Sequence, residues 1–218
     1  NKSYILIFGV DENGEDRFTL IEESVVDQEL NYSGPSGFVQ IVNAVPDADL
    51  ININLPGLFS NAKLHYTSGI ATLVPLGSNT ITINGKSITF TAEANLRSMV
   101  VACGESNNTD IMHVQSPLMG ATINTYKRRF INAAKDIAKL NVKSNDSTLI
   151  YGDLGYMLVS PIETMYREKK FSLYYENAET NKMIVRIDDL SLNFGKNYSI
   201  IFTGNSRTGY GAIIQQEY

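Results

Sequence analysis

Two stretches of the chain, Gln40–Asn54 (QIVNAVPDADLININ) and Arg129–Lys143 (RFINAAKDIAKLNVK), say nearly the same thing 89 residues apart. Laid over each other, Asn43 meets Asn132, Ala44 meets Ala133, Asp47 meets Asp136 and Asn52 meets Asn141. Apolar positions fall on apolar positions: Ile41 on Phe130, Val42 on Ile131, Ile51 on Leu140 and Ile53 on Val142. The fold depends on how this repeat is read. NAAKDIAKL taken alone suits a helix, but its partner NAVPDADLI carries Pro46 where that helix would need a backbone donor. Copies of one unit share one fold, so both are expected to be strand, tight turn, strand. Pro46 presets φ for the turn, and Asp47 is expected to bond locally to the backbone. Asn43 and Asn132 would tie the turn to the end of the preceding strand, with Asp136 matching Asp47.

Outward from that corner the dominant period is two. In Leu50–Leu55, Ile51, Ile53 and Leu55 alternate with Asn52 and Asn54, as in a half-buried strand. In SNTITINGKSITFTA, Ile81 and Ile83 lead into Asn84-Gly85, the pair favoured by a type I′ turn, and Ile88 and Phe90 lead back. A second signal occurs three times, beginning at Tyr4, Ser98 and Tyr198: an apolar strand reaching Gly9, Gly104 or Gly204, a polar turn, then another apolar strand. The first of these resembles the tail of a repeat whose front is missing. A bare hairpin is barely stable in water, so it is expected to pack on the first repeat. The organisation expected is a hairpin and linker over residues 1–37, a β-sandwich over 38–120 and a second over 121–218.

The chain has 218 residues, enough for two ordinary domains, and a formal net charge of −5. Residues 1–126 hold 5 Lys and Arg against 13 Asp and Glu, whereas residues 127–218 hold 13 against 10. No basic stripe interleaved with aromatics is present, which argues against nucleic acid as a partner. No apolar run is long enough for a membrane helix, and NKSYILIFGV lacks the features of a signal peptide. Cys103 is the sole cysteine, so neither a disulfide framework nor a thiolate zinc site is expected.

Chemistry is sparse. Asp11, Asn13 and Asp16 could form a weak calcium site in a hairpin turn, but Gly14 stands where an EF-hand loop does not want it and strands flank the segment. His65 and His113 lack metal-pair spacing, and nothing places His113, Ser116 and Asp110 within mutual reach. No nucleophile elbow, phosphate loop or dinucleotide fingerprint occurs. Catalytic and cofactor residues are therefore expected to be absent. Tyr166, Tyr174 and Tyr175, from a tyrosine-rich part of the second repeat, form a possible contact patch.

The segment Val42–Ala48, the alternation through Asn54, then Leu64, Tyr66 and Pro75-Leu76-Gly77 are together similar to a bacterial and archaeal domain family of unknown function with a Val-Asn-Ala-Ser-Pro-Asp-Ala core. The second copy keeps Phe130–Ala133, Asp136, Leu154 and Tyr156 but loses the turn proline and the Pro-x-Gly. The resemblance implies an all-β protein with tandem immunoglobulin-like sandwiches, an exported location (cell surface, periplasm or a lipoprotein anchored upstream) and no established catalytic activity. The expectation is a non-catalytic binding or adhesion module for a surface protein or glycan. The alternatives are a structural spacer joining copies through edge strands and a carbohydrate-binding accessory domain.

Overall fold

A computed structural model describes residues 3–10, 16–23, 35–117, 121–166 and 170–217, the first two segments as strand backbone. All of the regular structure among the described residues is β. The chain divides into two units, residues 1–34 and residues 35–218. The first holds one antiparallel hairpin, β1 (Ser3–Val10) with β2 (Asp16–Glu23), in unbroken register from Ser3 opposite Glu23 to Val10 opposite Asp16.

The second unit holds two sandwiches. The first contains β3 (Ser36–Asn43), β4 (Leu50–Leu55), β5 (Phe59–His65), β6 (Gly69–Pro75), β7 (Gly77–Ile83), β8 (Lys86–Ala92), β9 (Leu96–Glu105) and β10 (Asn108–Pro117). Its sheets run β10-β9-β3-β6 and β5-β4-β7-β8. The second contains β11 (Tyr126–Asn132), β12 (Lys139–Lys143), β13 (Leu149–Gly155), β14 (Glu163–Met165), β15 (Phe171–Asn177), β16 (Lys182–Leu190), β17 (Asn197–Asn205) and β18 (Gly209–Glu217). Its sheets run β14-β11-β17-β18 and β13-β12-β15-β16, the same order eight strands on. In each sandwich the opening strand pairs in parallel with the seventh, β3 with β9 and β11 with β17. The whole plan is duplicated, connections included.

Each sandwich buries the alternation read from its sequence. Ile51, Ile53, Leu55, Ile81, Ile83 and Phe90 form one core with Val39, Ile41 and Val100 from the facing sheet. Phe130, Leu140, Val142, Leu173, Tyr175 and Phe202 anchor the other. The Asn84-Gly85 hairpin has φ of 48° and 82°, the positive pair its turn requires, and sets Ile83 opposite Lys86.

A third core lies between the sandwiches. Val42, Ala44, Met99, Val101, Cys103 and Met112 pack there against Ile131, Ala133, Ile201 and Ile213. This explains why β9 and β17 read as continuous apolar runs rather than alternations. Val100 and Ala102 point into their own sandwich while Met99, Val101 and Cys103 point into the junction. The junction also has an order. Gly69 of β6 abuts Gln215 of β18, Thr203 of β17 donates to the Ala44 carbonyl at the end of β3 (2.7 Å), and Arg129 of β11 donates to the Gln115 carbonyl of β10 (3.0 Å). Gln40, the counterpart of Arg129, donates to the Gln216 carbonyl, itself the counterpart of Gln115 (3.2 Å). Equivalent strands of the two sheets run the same way, and their lateral order is reversed between the facing sheets, as a two-fold axis along the strands would generate. Both sandwiches offer the same face to one another.

Candidate functional site

The repeated corner is built in both copies from the asparagine outward. Asn43 and Asn132 are wholly buried. Asn43 Oδ1 accepts from the Val45 amide (3.0 Å), and its Nδ2 donates to the Leu64 carbonyl (3.0 Å). Asn132 Oδ1 accepts from the Ala134 amide (3.1 Å), and its Nδ2 donates to the Ile137 (2.9 Å) and Leu154 (3.1 Å) carbonyls. A four-residue turn follows in each copy, closed by Ala48 N–H to Val45 C=O and by Ile137 N–H to Ala134 C=O, both 3.2 Å. Pro46 holds the second position of the first turn, and Lys135 takes that place in the other; the turn needs no amide from either. The helix-like NAAKDIAKL therefore folds as its partner does.

The local role expected of Asp47 is corrected. Its carboxylate accepts from the amide (2.9 Å) and hydroxyl (3.0 Å) of Ser106, in the turn between β9 and β10. The local bond is already made by Asn43, which frees Asp47 to reach across. Asp136 repeats the device, accepting from the Ser206 amide (2.8 Å) and the Tyr210 hydroxyl (2.7 Å). These aspartates clip the corner to the closing hairpin of each sandwich.

Charged residues meet at both ends of the junction. At the end where β11 begins, Arg129 and Glu217 are each at least nine-tenths buried and pair at 2.8 Å. Arg129 Nε also donates to Ser199 Oγ (2.8 Å). Glu217 further accepts from Ser199 (2.6 Å) and Ser116 (2.8 Å), so the buried charges are matched and hydrogen-bonded. Burial pulls the Arg129 guanidinium below its ordinary value while Glu217 opposes that shift. At the opposite end Asp110 accepts from Lys86 (2.8 Å), Tyr156 (3.0 Å) and Lys135 (3.2 Å). Partial burial would raise the Asp110 carboxyl, and these donors outweigh it and hold it below the usual range. Cys103 lies beside them with no exposed surface, its thiol pushed up to about 11 by burial. This network was not legible in sequence: Glu217 lies 88 residues from Arg129 along the chain, and KRRF reads as an ordinary basic run.

The imagined set of His113, Ser116 and Asp110 does not assemble. His113 faces Ser98 (3.0 Å) and Phe90 from the other side of β10, and Asp110 and Ser116 serve opposite ends of the junction, roughly 20 Å apart at strand rise. His65 lies near Asp49 at 3.6 Å, both largely exposed. Among the described residues no three His, Cys, Asp or Glu side chains are placed to hold a metal. Asp11 and Asn13, two of the candidate calcium ligands, lie outside the described residues, and Asp16 opens β2 with only its backbone described.

The tyrosine patch is also corrected. Tyr175 is wholly buried against Phe202, ring centroids 4.9 Å apart. Tyr174, on the other face of the strand, is half-buried with Arg186 over its ring at 5.0 Å. Neighbours on a strand point to opposite faces, so the two could never share a surface. Tyr166 is 69% exposed, and Leu158 (57%) and Ile162 (41%) are the other exposed large apolar residues of the segment from the second corner to β14. The hollow lined by Phe38, Gln40, Arg97, Arg129 and Glu217 has no room for a water molecule. Its neighbour beside Arg128 and Tyr198 offers about 10 Å³. Neither admits a ligand. No helix among the described residues is long and apolar enough to cross a membrane.

No family model matches the chain, and no curated protein matches it. Among solved structures it is similar to the "putative cell adhesion protein from Bacteroides uniformis ATCC 8492", at 10% identity and a TM-score of 0.30, over 86% of this chain and 99% of that one.

Proposed function

We propose that the chain is a non-catalytic binding or adhesion module of an exported protein, held at the cell surface or in the periplasm and displayed as one stiff body. One observation supports this reading over that of a spacer: the start of β3 and the end of β18 lie at the same end of unit 35–218. Phe38, near the start of β3, pairs with Arg97, and the Arg97 guanidinium reaches the carbonyl of Glu217, the last residue of β18, at 3.4 Å. A spacer would set these two strand ends apart; here they lie together, and the opposite end carries the two Asn corners and the Asp–Ser clips. The apolar third core packs the two sandwiches against one another. The corner motif, similar to that of a domain family of exported tandem modules, supports the location.

Leu158, Ile162 and Tyr166, each exposed along one stretch of chain, are the contact residues favoured for a protein or a sugar ring. The test is a glycan array and a pull-down from surface extracts with the wild-type chain and with Tyr166→Ala combined with Ile162→Ser. Capture by the wild type and at least a tenfold loss in the variant, with unchanged melting, is the expected result. Blank captures at high protein concentration, or equal capture by both, would overturn the reading.

A further inference from the structure

Three hairpins in this chain are of one kind, and two of them show what the kind does. β9–β10 and β17–β18 are the seventh and eighth strands of their sandwiches. The first strand of each pairs in parallel with the opening strand, and the second forms a sheet edge. The seventh strand is apolar at successive positions because each of its faces enters a different core. β1 has the same character: Tyr4-Ile5-Leu6-Ile7-Phe8 runs apolar without alternation into Gly9, as Met99–Cys103 runs into Gly104 and Ile200–Phe202 runs toward Gly204. Spacing agrees as well. β1 begins 33 positions before the next opening strand (Ser3 to Ser36), and β9 begins 30 before the next (Leu96 to Tyr126).

Within the two sandwiches that place is already taken. Each has its eight strands and its own closing hairpin. We propose that β1–β2 is the closing hairpin of a third sandwich of the same plan, its six earlier strands supplied from outside residues 1–218. The partner it fits is therefore an all-β half-module that offers the edge of an opening strand for parallel pairing and an apolar sheet face. Two strands alone cannot bury the apolar faces of a seventh strand.

Hydrogen exchange on the chain 1–218, and on the same polypeptide extended upstream by the span from Ser36 to Ala92, tests this. In 1–218 the β1 and β2 amides should exchange roughly 100-fold faster than those of β9 and β10, and the extension should bring them level. Leu6→Asp gives a second readout that does not require the extended chain to fold. In 1–218 it should leave the melting of residues 35–218 unshifted, and in the extended chain it should abolish the added transition alone. Equal protection of the hairpin in 1–218, a lowered melting point of residues 35–218 in that variant, or no gain of protection on extension would each overturn the proposal.

Discussion

Replacing Asn132 by alanine should be among the most damaging polar substitutions in the chain. Three hydrogen bonds vanish, and the amide of Ala134 and the carbonyls of Ile137 and Leu154 lose their partner at a position with no solvent exposure. At about 1 kcal/mol net per bond, with a further penalty wherever a stranded group cannot reach water, the loss is about 3–5 kcal/mol. For a body of this size that lowers the melting temperature by about 10 °C. Asn43→Ala removes two bonds and should cost about 2–3 kcal/mol. The order of the two variants is therefore part of the prediction. Asn132→Asp adds a control: it keeps the acceptor for Ala134 but turns a carboxylate toward two carbonyls, so its deficit should shrink as pH falls and the group protonates. Calorimetry and urea unfolding of the four proteins provide the assay. A loss below about 1 kcal/mol for Asn132→Ala, or a larger loss for Asn43→Ala, would refute the claim that the corner is held by its asparagine.

Tyr175→Phe should be neutral or stabilising by about 1 kcal/mol, since the wholly buried hydroxyl has no hydrogen-bond partner among the described residues while its ring packs on Phe202; a clear loss in urea unfolding would reveal a partner. Cys103 should resist maleimide at pH 8 in the folded protein and react at once in urea. Its folded value is raised to about 11 from 9.0, so its contribution to stability is complete below about pH 9 and is lost as pH rises through about 11. Cys103→Ala should flatten that part of the pH–stability curve, and an unchanged alkaline slope would count against the assignment.

Much of the frame was legible because it is local. Asn84-Gly85 names its own turn, and Ile51, Ile53 and Leu55 name their own face. The decisive step was to let Pro46 overrule the helical letters of Ala133–Leu140, and it worked because a turn tolerates proline where a helix does not. What stayed hidden is long-range. Asp47 finds Ser106, Asp136 finds Ser206 and Arg129 finds Glu217 only after the sheets have stacked. The unbroken apolar runs of β9 and β17 are explained by burial on two faces, but nothing in them says that the second face packs on another copy of the same sheet. Tyr175 failed as a contact residue for a similar reason: tyrosine reads as amphipathic, and only the packing shows which side of the strand is wet.

The placement of the Arg129–Glu217 pair bears on mechanical strength. A pull applied at Ser36 and Glu217 would draw two adjacent chain ends away from the same edge of the body, so it would peel contacts in turn instead of shearing a whole ladder at once. The first rungs between the halves in its path are Arg97 on the Glu217 carbonyl and Ser116 on the Glu217 carboxylate. The Arg129–Glu217 pair holds that end of β18 to its own sandwich while those rungs are loaded.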